Sequence, residues 1–435
     1  MDAKPLPLLH GIAERISAAR SALAAGPPPP AMTETAAQRR RDLALLYAAR
    51  AARNFGDGFA VIILPAYLTA IGFAPAQIGV IATTALLGSA ILVLAVGFLA
   101  PRYDLRSLLI AGAALMTATG LAMPNTQDII LIGVIAFIGT MNPATGDMGV
   151  LVPIEHTMLA REAADAERTK VFARYSLIGA IATSGGALAA ATPDLLRVLG
   201  FGALPALKAM LYAYAVLGLI GAICYRTLPR QRPSTEVQAS ASLGPSRGVV
   251  YKLAALFCVD AFAGGFVVQS LMALWLFQRF GLSLSAASTF FFCASVLAAF
   301  SFPAAAWLAR RIGLVNTMVF THLPSNLCLI AAAFAPNLIV VLALLLARAA
   351  LSQMDVPTRT SYVMAVVTPA ERPAAASVTA VPRTLASSLS PALAGVLFGL
   401  PFSSLPLVLC GALKIVYDVA LLVSFRHIKP PEERD

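Results

Sequence analysis

Apolar runs of roughly 20 residues recur along the chain, each closed by a short cluster of Gly, Pro or charged residues, and that is the length a helix needs to cross a hydrocarbon core. The pattern predicts six helices over 43–71, 76–99, 107–123, 129–157, 169–192 and 205–225. Six more follow over 252–278, 284–309, 314–335, 338–365, 374–400 and 405–425. Between the two sets lies the longest interior polar break, rich in Arg, Pro and Ser. The expected organisation is a disordered tail over 1–42, a six-helix bundle over 43–225, a linker over 226–251, a second six-helix bundle over 252–425 and a short tail over 426–435.

Composition agrees with this. The chain is 59% hydrophobic and only 12% charged, with a mean hydropathy of +0.80, more apolar mass than a water-soluble core absorbs. That mass is Ala, Leu, Val and Ile, which favours helices over the alternating strands of a barrel. The fold class is therefore an all-α membrane protein of twelve transmembrane helices. A net charge of +11 would point to nucleic acid in a soluble protein, but here its placement carries the information. With the N-terminus inside, the inner loops and C-tail hold sixteen Lys and Arg, whereas the outer loops hold three: Arg197, Lys208 and Arg279. Moving the map by one helix scrambles that contrast. Both termini are thus expected in the cytoplasm, the surroundings are the lipid bilayer, and no nucleic acid is implied.

The tail lacks the basic start, apolar core and small-residue cleavage site of a secretory signal. Leu9, Ile12, Ile16 and Leu23 fit one face of a short helix ended by Pro27 to Pro30, with a disordered tail as the alternative. Met32 is an alternative start, because Arg39, Arg40 and Arg41 then directly precede the first helix. The five cysteines lie in apolar runs without metal or disulfide spacing and read as small packing residues.

The halves repeat. Gly97-Phe98-Leu99-Ala100-Pro101-Arg102 follows the second helix and Ala306-Trp307-Leu308-Ala309-Arg310-Arg311 follows the eighth, at an offset that also aligns Gly72 with Gly281. Val152-Pro153-Ile154-Glu155 and Val356-Pro357-Thr358-Arg359 are each followed twelve residues on by Glu-Arg, at 167–168 and 371–372. The loop Gly97-Phe98-Leu99-Ala100-Pro101-Arg102-Tyr103-Asp104-Leu105-Arg106 resembles the signature G-x-L-A-D-R-x-G-R-[KR] of the major facilitator superfamily, with Pro101 in place of the aspartate and Asp104 in place of the second glycine. Asp57, Leu64-Pro65, Tyr67-Leu68 and Gly72 look like the family's first helix. The resemblance covers about 43–425 and implies two parallel six-helix repeats with a solute site between them near mid-membrane.

Charge within a span is costly, roughly +2.5–3.5 kcal/mol per residue on insertion scales, so each such group needs a reason. Arg53 and Asp57 share a face of the first helix, as Lys414 and Asp418 do in the twelfth. Asp147, Asp260, Arg348, Asp355 and Arg383 lie in other spans. In the superfamily, helices 1, 4, 7 and 10 line the cavity. The resemblance therefore implies a substrate or proton pathway formed by Arg53, Asn54, Asp57, Asn142, Asp260, Gln269, Arg348 and Arg383, set against a reading in which these are structural ion pairs. Asp57 is the expected proton carrier. Lys414 with Asp418 reads as a structural pair, and His322 as a hydrogen-bonded packing residue rather than a coupling group. Arg102, Arg106, Glu155, Arg311 and Arg359 are the expected cytoplasmic gate, with Glu155 and Arg359 closing one half on the other; plain solvated charge is the alternative.

The leading expectation is a monomeric inner-membrane secondary transporter that moves a small organic solute with protons by alternating access, export ranked ahead of uptake. No phosphate-binding loop of Walker type argues for an ATP-driven pump. The four histidines, His10, His156, His322 and His427, are scattered without ligand spacing, so neither a metal nor an enzymatic centre is expected. A transporter-like sensor or assembly partner is the remaining alternative.

Overall fold

The computed structural model describes residues 32–100, 102–144, 149–162, 168–230, 243–368 and 371–427. The expected tail over 1–31, most of the linker and Asp147 lie outside these. The chain divides into two compact units, Met1–Ala44 and Leu45–Asp435. Of the first, residues 32–44 are described, and they are helical.

Every regular element among the described residues is a helix. The first-half elements are α1 (Met32–Ala70), α2 (Pro75–Leu99), α3 (Leu105–Ala122), α4 (Ile129–Ile138), α5 (Leu151–Glu162), α6 (Arg168–Ala189), the short α7 (Thr192–Val198) and α8 (Ala203–Arg226). The second-half elements are α9 (Arg247–Gly265), α10 (Gln269–Phe280), α11 (Leu284–Ile312), α12 (Leu314–Phe334), α13 (Leu338–Ser352), α14 (Asp355–Ala365), α15 (Arg372–Phe398) and α16 (Leu405–Phe425). α1 starts ahead of the expected residue 43 because neither Gly nor Pro lies between Met32 and Asp42 to stop it.

Three predicted spans are interrupted rather than continuous. The fourth ends α4 at Gly139, which is extended at φ −70° and ψ 173°, and Pro143 then excludes a helical amide. The seventh breaks after Gly264-Gly265, where backbone freedom is greatest. The tenth breaks at Gln353-Met354, since the Pro357 ring would collide with the carbonyl four residues earlier. Nine segments among the described residues are long and apolar enough to cross a membrane. The rest of the twelve-span pattern fits α1, whose middle carries Arg50, Arg53, Asn54 and Asp57, the interrupted α4–α5 pair, and α15, whose hydropathy Ser, Thr and Pro dilute.

Leu385, Leu389, Leu393 and Val396 form an exposed stripe along α15, and Val216, Leu219, Ile220 and Ile223 form another on α8. Such contiguous apolar surface suits lipid, not water. Gly72 and Gly281, matched in the sequence repeat, end α1 and α10 with φ of +95° and +59°. Within the first half α3 packs on α8 and α2 on α4, and within the second α9 packs on α15 and α12 on α16. Two seams, α2 with α15 and α6 with α11, join helices of the first half to helices of the second.

Gly186 of α6 meets α1 so closely that a Cβ there would lie 2.0 Å from the Phe55 carbonyl oxygen. Gly186→Ala is therefore expected to force the helices apart and destabilise the protein by about 1–3 kcal/mol, read as a lower melting temperature in detergent. An unchanged melting temperature would mean that the α1–α6 contact is looser than the structure has it.

Outside the spans, Glu371 clasps the segment before α9. It accepts from Gly244 N at 2.6 Å, Ser246 Oγ at 2.8 Å and Thr368 Oγ1 at 2.7 Å. Hydrogen bonds from the Thr368 and Ser246 side chains, then from the Gly244 and Ser246 amides, bring its carboxyl from the ordinary 4.5 to about 2. A depressed carboxylate stabilises the fold above its unfolded pKa, and the contribution fades as pH falls from about 4.5 towards about 2. The melting-temperature advantage of wild type over Glu371→Gln should accordingly be full at neutral pH and shrink across that window. A constant difference would rule out this linkage.

Candidate functional site

A cavity of about 560 Å³ lies among α1, α6, α10, α11, α13, α14 and α15, within the size range of small-molecule sites. Arg50, Asn54 and Thr183 line it from the first half, and Gln269, Arg348, Gln353, Arg359 and Arg383 from the second. Phe290, Phe291 and Phe302 of α11 add an apolar wall. The interrupted spans supply part of the lining: Ala144 follows α4, Gln269 opens α10 and Gln353 sits between α13 and α14. Two of these breaks touch, since Ser270 N donates to Pro143 O at 3.1 Å, while Asn142 Oδ1 accepts from Ala144 N at 2.9 Å. Irregular backbone at membrane depth is tolerable where it is enclosed by protein or lines a polar cavity, and both conditions hold here.

Beside the cavity, in the first half, Glu155 of α5 is 0% exposed. Arg53 Nη2 donates to Glu155 Oε2 at 2.7 Å, and the hydroxyls of Tyr175 on α6 and Tyr225 on α8 donate to the same carboxylate. Four helices thus converge on one anion. Arg50 stacks its guanidinium 4.4 Å from the centre of the Tyr175 ring. Asn54 Nδ2 donates to Thr183 Oγ1 at 3.1 Å, and Tyr214 OH of α8 donates to Asp57 Oδ1 at 3.2 Å.

The second half holds a larger network. Asp260 of α9 accepts from Lys414 of α16 and from Arg359 Nη1 of α14 at 3.1 Å. Arg359 also pairs with Asp355 at 3.3 Å, one turn earlier on α14. Asp418, one turn beyond Lys414, meets His322 Nδ1 at 2.8 Å and Asn326 Nδ2 at 3.1 Å, both on α12. His322 Nε2 faces Lys414 Nζ at 3.5 Å. All of these groups are buried, so each charge depends on its partners rather than on water. Arg348 and Arg383 are partly buried, and their enclosed Nε atoms have no hydrogen-bond partner among the described residues.

Comparison with known proteins settles the family. The family model of the Major Facilitator Superfamily matches residues 46–391. The chain belongs to the Major Facilitator Superfamily. A relative, an uncharacterized membrane protein of Saccharomyces cerevisiae, is 24% identical over 421 residues, covering 88% of this chain and 94% of that one. Among solved structures, the nucleoside transporter NupG superposes with a TM-score of 0.67 at 14% identity, over 89% of this chain and 99% of that one. A bacterial homologue of the human lysosomal transporter Spinster, in an inward-facing and occupied conformation, gives a TM-score of 0.67 at 14% identity over 88% and 96%. At such identities the likeness is one of fold, and with the family it makes this chain a multi-pass membrane transporter.

Of the pathway residues expected from the superfamily pattern, Asn54, Gln269, Arg348 and Arg383 line the cavity, whereas Arg53, Asp57, Asn142 and Asp260 are not among its lining residues. The described lining is cationic rather than mixed in sign. Arg53 pairs with Glu155 and not with Asp57, its neighbour one turn on. Lys414 pairs with Asp260 and not with Asp418, and His322 is buried and hydrogen-bonded to Asp418 beside that pair. Glu155 and Arg359 do not face each other across the halves. Each is buried and paired inside its own half, because neighbouring helices place an opposite charge closer at hand. Of the other gate candidates, Arg102 and Arg311 are exposed and Arg106 is partly so, with Arg311 stacked 4.4 Å from the Trp307 ring centre.

Sequence reasoning missed Tyr175, Tyr214, Tyr225 and Asn326. The available signal was that hydroxyls and amides within Leu-rich and Ala-rich spans need partners as much as charges do.

Proposed function

We propose that the chain is a proton-coupled secondary active transporter that binds a small organic solute in the cavity and moves it by alternating access. The halves over 43–225 and 252–425 rock against each other about the α2–α15 and α6–α11 seams. The observation that supports this most directly is the cavity itself, walled by polar side chains from both halves and floored by broken spans. The likeness to NupG, a nucleoside transporter, and to a homologue of the lysosomal transporter Spinster agrees with it. The proton carriers are the span carboxylates beside the cavity, Asp57 with its Tyr214 partner and Asp260 within its basic cluster. The protein works as a monomer in the inner membrane, and both its termini lie in the cytoplasm, an orientation supported by the Lys and Arg that gather on one side of the span map.

The test uses the purified full chain in liposomes holding a pH dye, given pooled organic solutes on either face. A solute-dependent pH change that Asp57→Asn abolishes is expected. Solute flux with no pH change would remove protons from the mechanism while leaving transport. An identical signal in Asp57→Asn would relieve Asp57 of its role. Neither flux nor pH change for any solute would overturn the transport reading.

A further inference from the structure

The cavity wall is electrostatically unfinished. Away from the ends of the second-half spans there are four permanent cations, Arg348, Arg359, Arg383 and Lys414, and three carboxylates, Asp260, Asp355 and Asp418. Arg359 is held by Asp260 and Asp355, and Lys414 by Asp260. Asp418 is taken up by His322 and Asn326. Four cations against three carboxylates leave one positive charge over. Neither Arg348 nor Arg383 forms an ion pair within 4.0 Å among the described residues, and the Nε of each is buried without an acceptor. Both side chains line the cavity. Each arginine is only partly buried, with its Nε enclosed, so an anion in the cavity would supply the partner that the described residues do not.

We propose that the solute is a small monovalent organic anion, its carboxylate-type group gripped by Arg348 and Arg383 and its apolar body resting on Phe290 and Phe291. This rests on the cavity being the solute site and adds the class of solute. The planar guanidinium fork presents parallel N–H donors that match the two oxygens of a carboxylate, which an ammonium does not. One anionic charge matches the one-cation surplus of the Asp, Arg and Lys side chains in these spans. The aromatic residues, together with Met272 and Leu345 in the same lining, suit an apolar body, and Arg359 of that lining is already paired with Asp260 and Asp355. Because the two arginines come from α13 and α15, on different sides of the tenth-to-eleventh span connection, an anion bridging them would also tie those helices together.

The test is ligand binding in detergent, which does not depend on transport. The full chain is titrated with matched sets of small solutes that differ only in the head group: benzoate, benzamide and benzylammonium, then hexanoate, hexanamide and hexylammonium. Melting temperature and tryptophan fluorescence are recorded. At least one carboxylate is expected to stabilise wild type while its amide and ammonium counterparts do not, and Arg348→Gln and Arg383→Gln should each weaken that binding about tenfold or more. Ligand-free Arg348→Met should melt no lower than wild type, since Arg348 has no ion pair among the described residues to lose, whereas loss of an arginine held by structural partners would lower the melting temperature. Stabilisation by the amide or ammonium members equal to the carboxylate would overturn the proposal. So would carboxylate binding that survives both Gln variants, or no response to any carboxylate. Carboxylate binding without flux in liposomes would instead count against the transport reading and leave the anion site standing.

Discussion

Glu155→Ala is expected to destabilise the protein by about 3–5 kcal/mol, the usual consequence of stranding a buried charge. The carboxylate is fully enclosed, and it is the acceptor for Arg53 at 2.7 Å as well as for Tyr175 and Tyr225. Its removal leaves a guanidinium 7% exposed, with Arg53 Nη1 already lacking a hydrogen-bond partner in the intact protein. Two tyrosine hydroxyls lose their acceptor at the same time. α1, α5, α6 and α8 meet at this point, so the loss should spread through the first half. The measurement is thermal unfolding of the solubilised protein. The paired change Arg53→Met with Glu155→Leu should recover most of the stability, because it removes both charges together. A single variant as stable as wild type would show that the cluster is hydrated and inexpensive to break.

The second large effect is expected at Asp260. Its carboxylate is the shared anion of Lys414 and Arg359, and His322 Nε2 stands 4.0 Å away. Asp260→Asn keeps the volume but leaves two cations competing for a neutral amide. We expect a stability loss of about 3–5 kcal/mol, together with loss of solute-driven proton movement in liposomes. Lys414→Met should partly rescue the fold of Asp260→Asn, since it withdraws one of the stranded charges, without restoring proton movement. Two outcomes would remove Asp260 from the coupling mechanism: an Asn variant that folds and couples like wild type, or coupling restored in the double variant. The two carboxylate clusters lie in different halves, so the Glu155 and Asp260 effects on stability should add.

Much of the architecture was legible in the residues. The apolar run lengths predicted spans whose positions the helices follow closely, and the Gly and Pro that interrupt the fourth, seventh and tenth spans were visible, although their consequence was not drawn. Gly264-Gly265 and Pro357 mark breaks in spans that the apolar pattern predicts as continuous, because a bilayer-length apolar run hides a local break. The candidate site was legible as a set of residue types and illegible as a set of pairs. Charges four apart on one helix suggested Arg53 with Asp57 and Lys414 with Asp418, yet the structure joins Arg53 to Glu155, 102 residues away, and Lys414 to Asp260, 154 away.

The sequence alone therefore determined where the chain must sit and how often helices alternate with breaks. Those properties follow from the cost of exposing backbone and charge to hydrocarbon, which acts run by run along the chain. Only the tertiary structure decided which charge meets which, and which face the cavity. A buried ion takes the partner that packing brings to hydrogen-bonding distance with the right geometry. The depth and rotation of α5, α9, α12 and α16 against their neighbours, which no single helix encodes, set those distances.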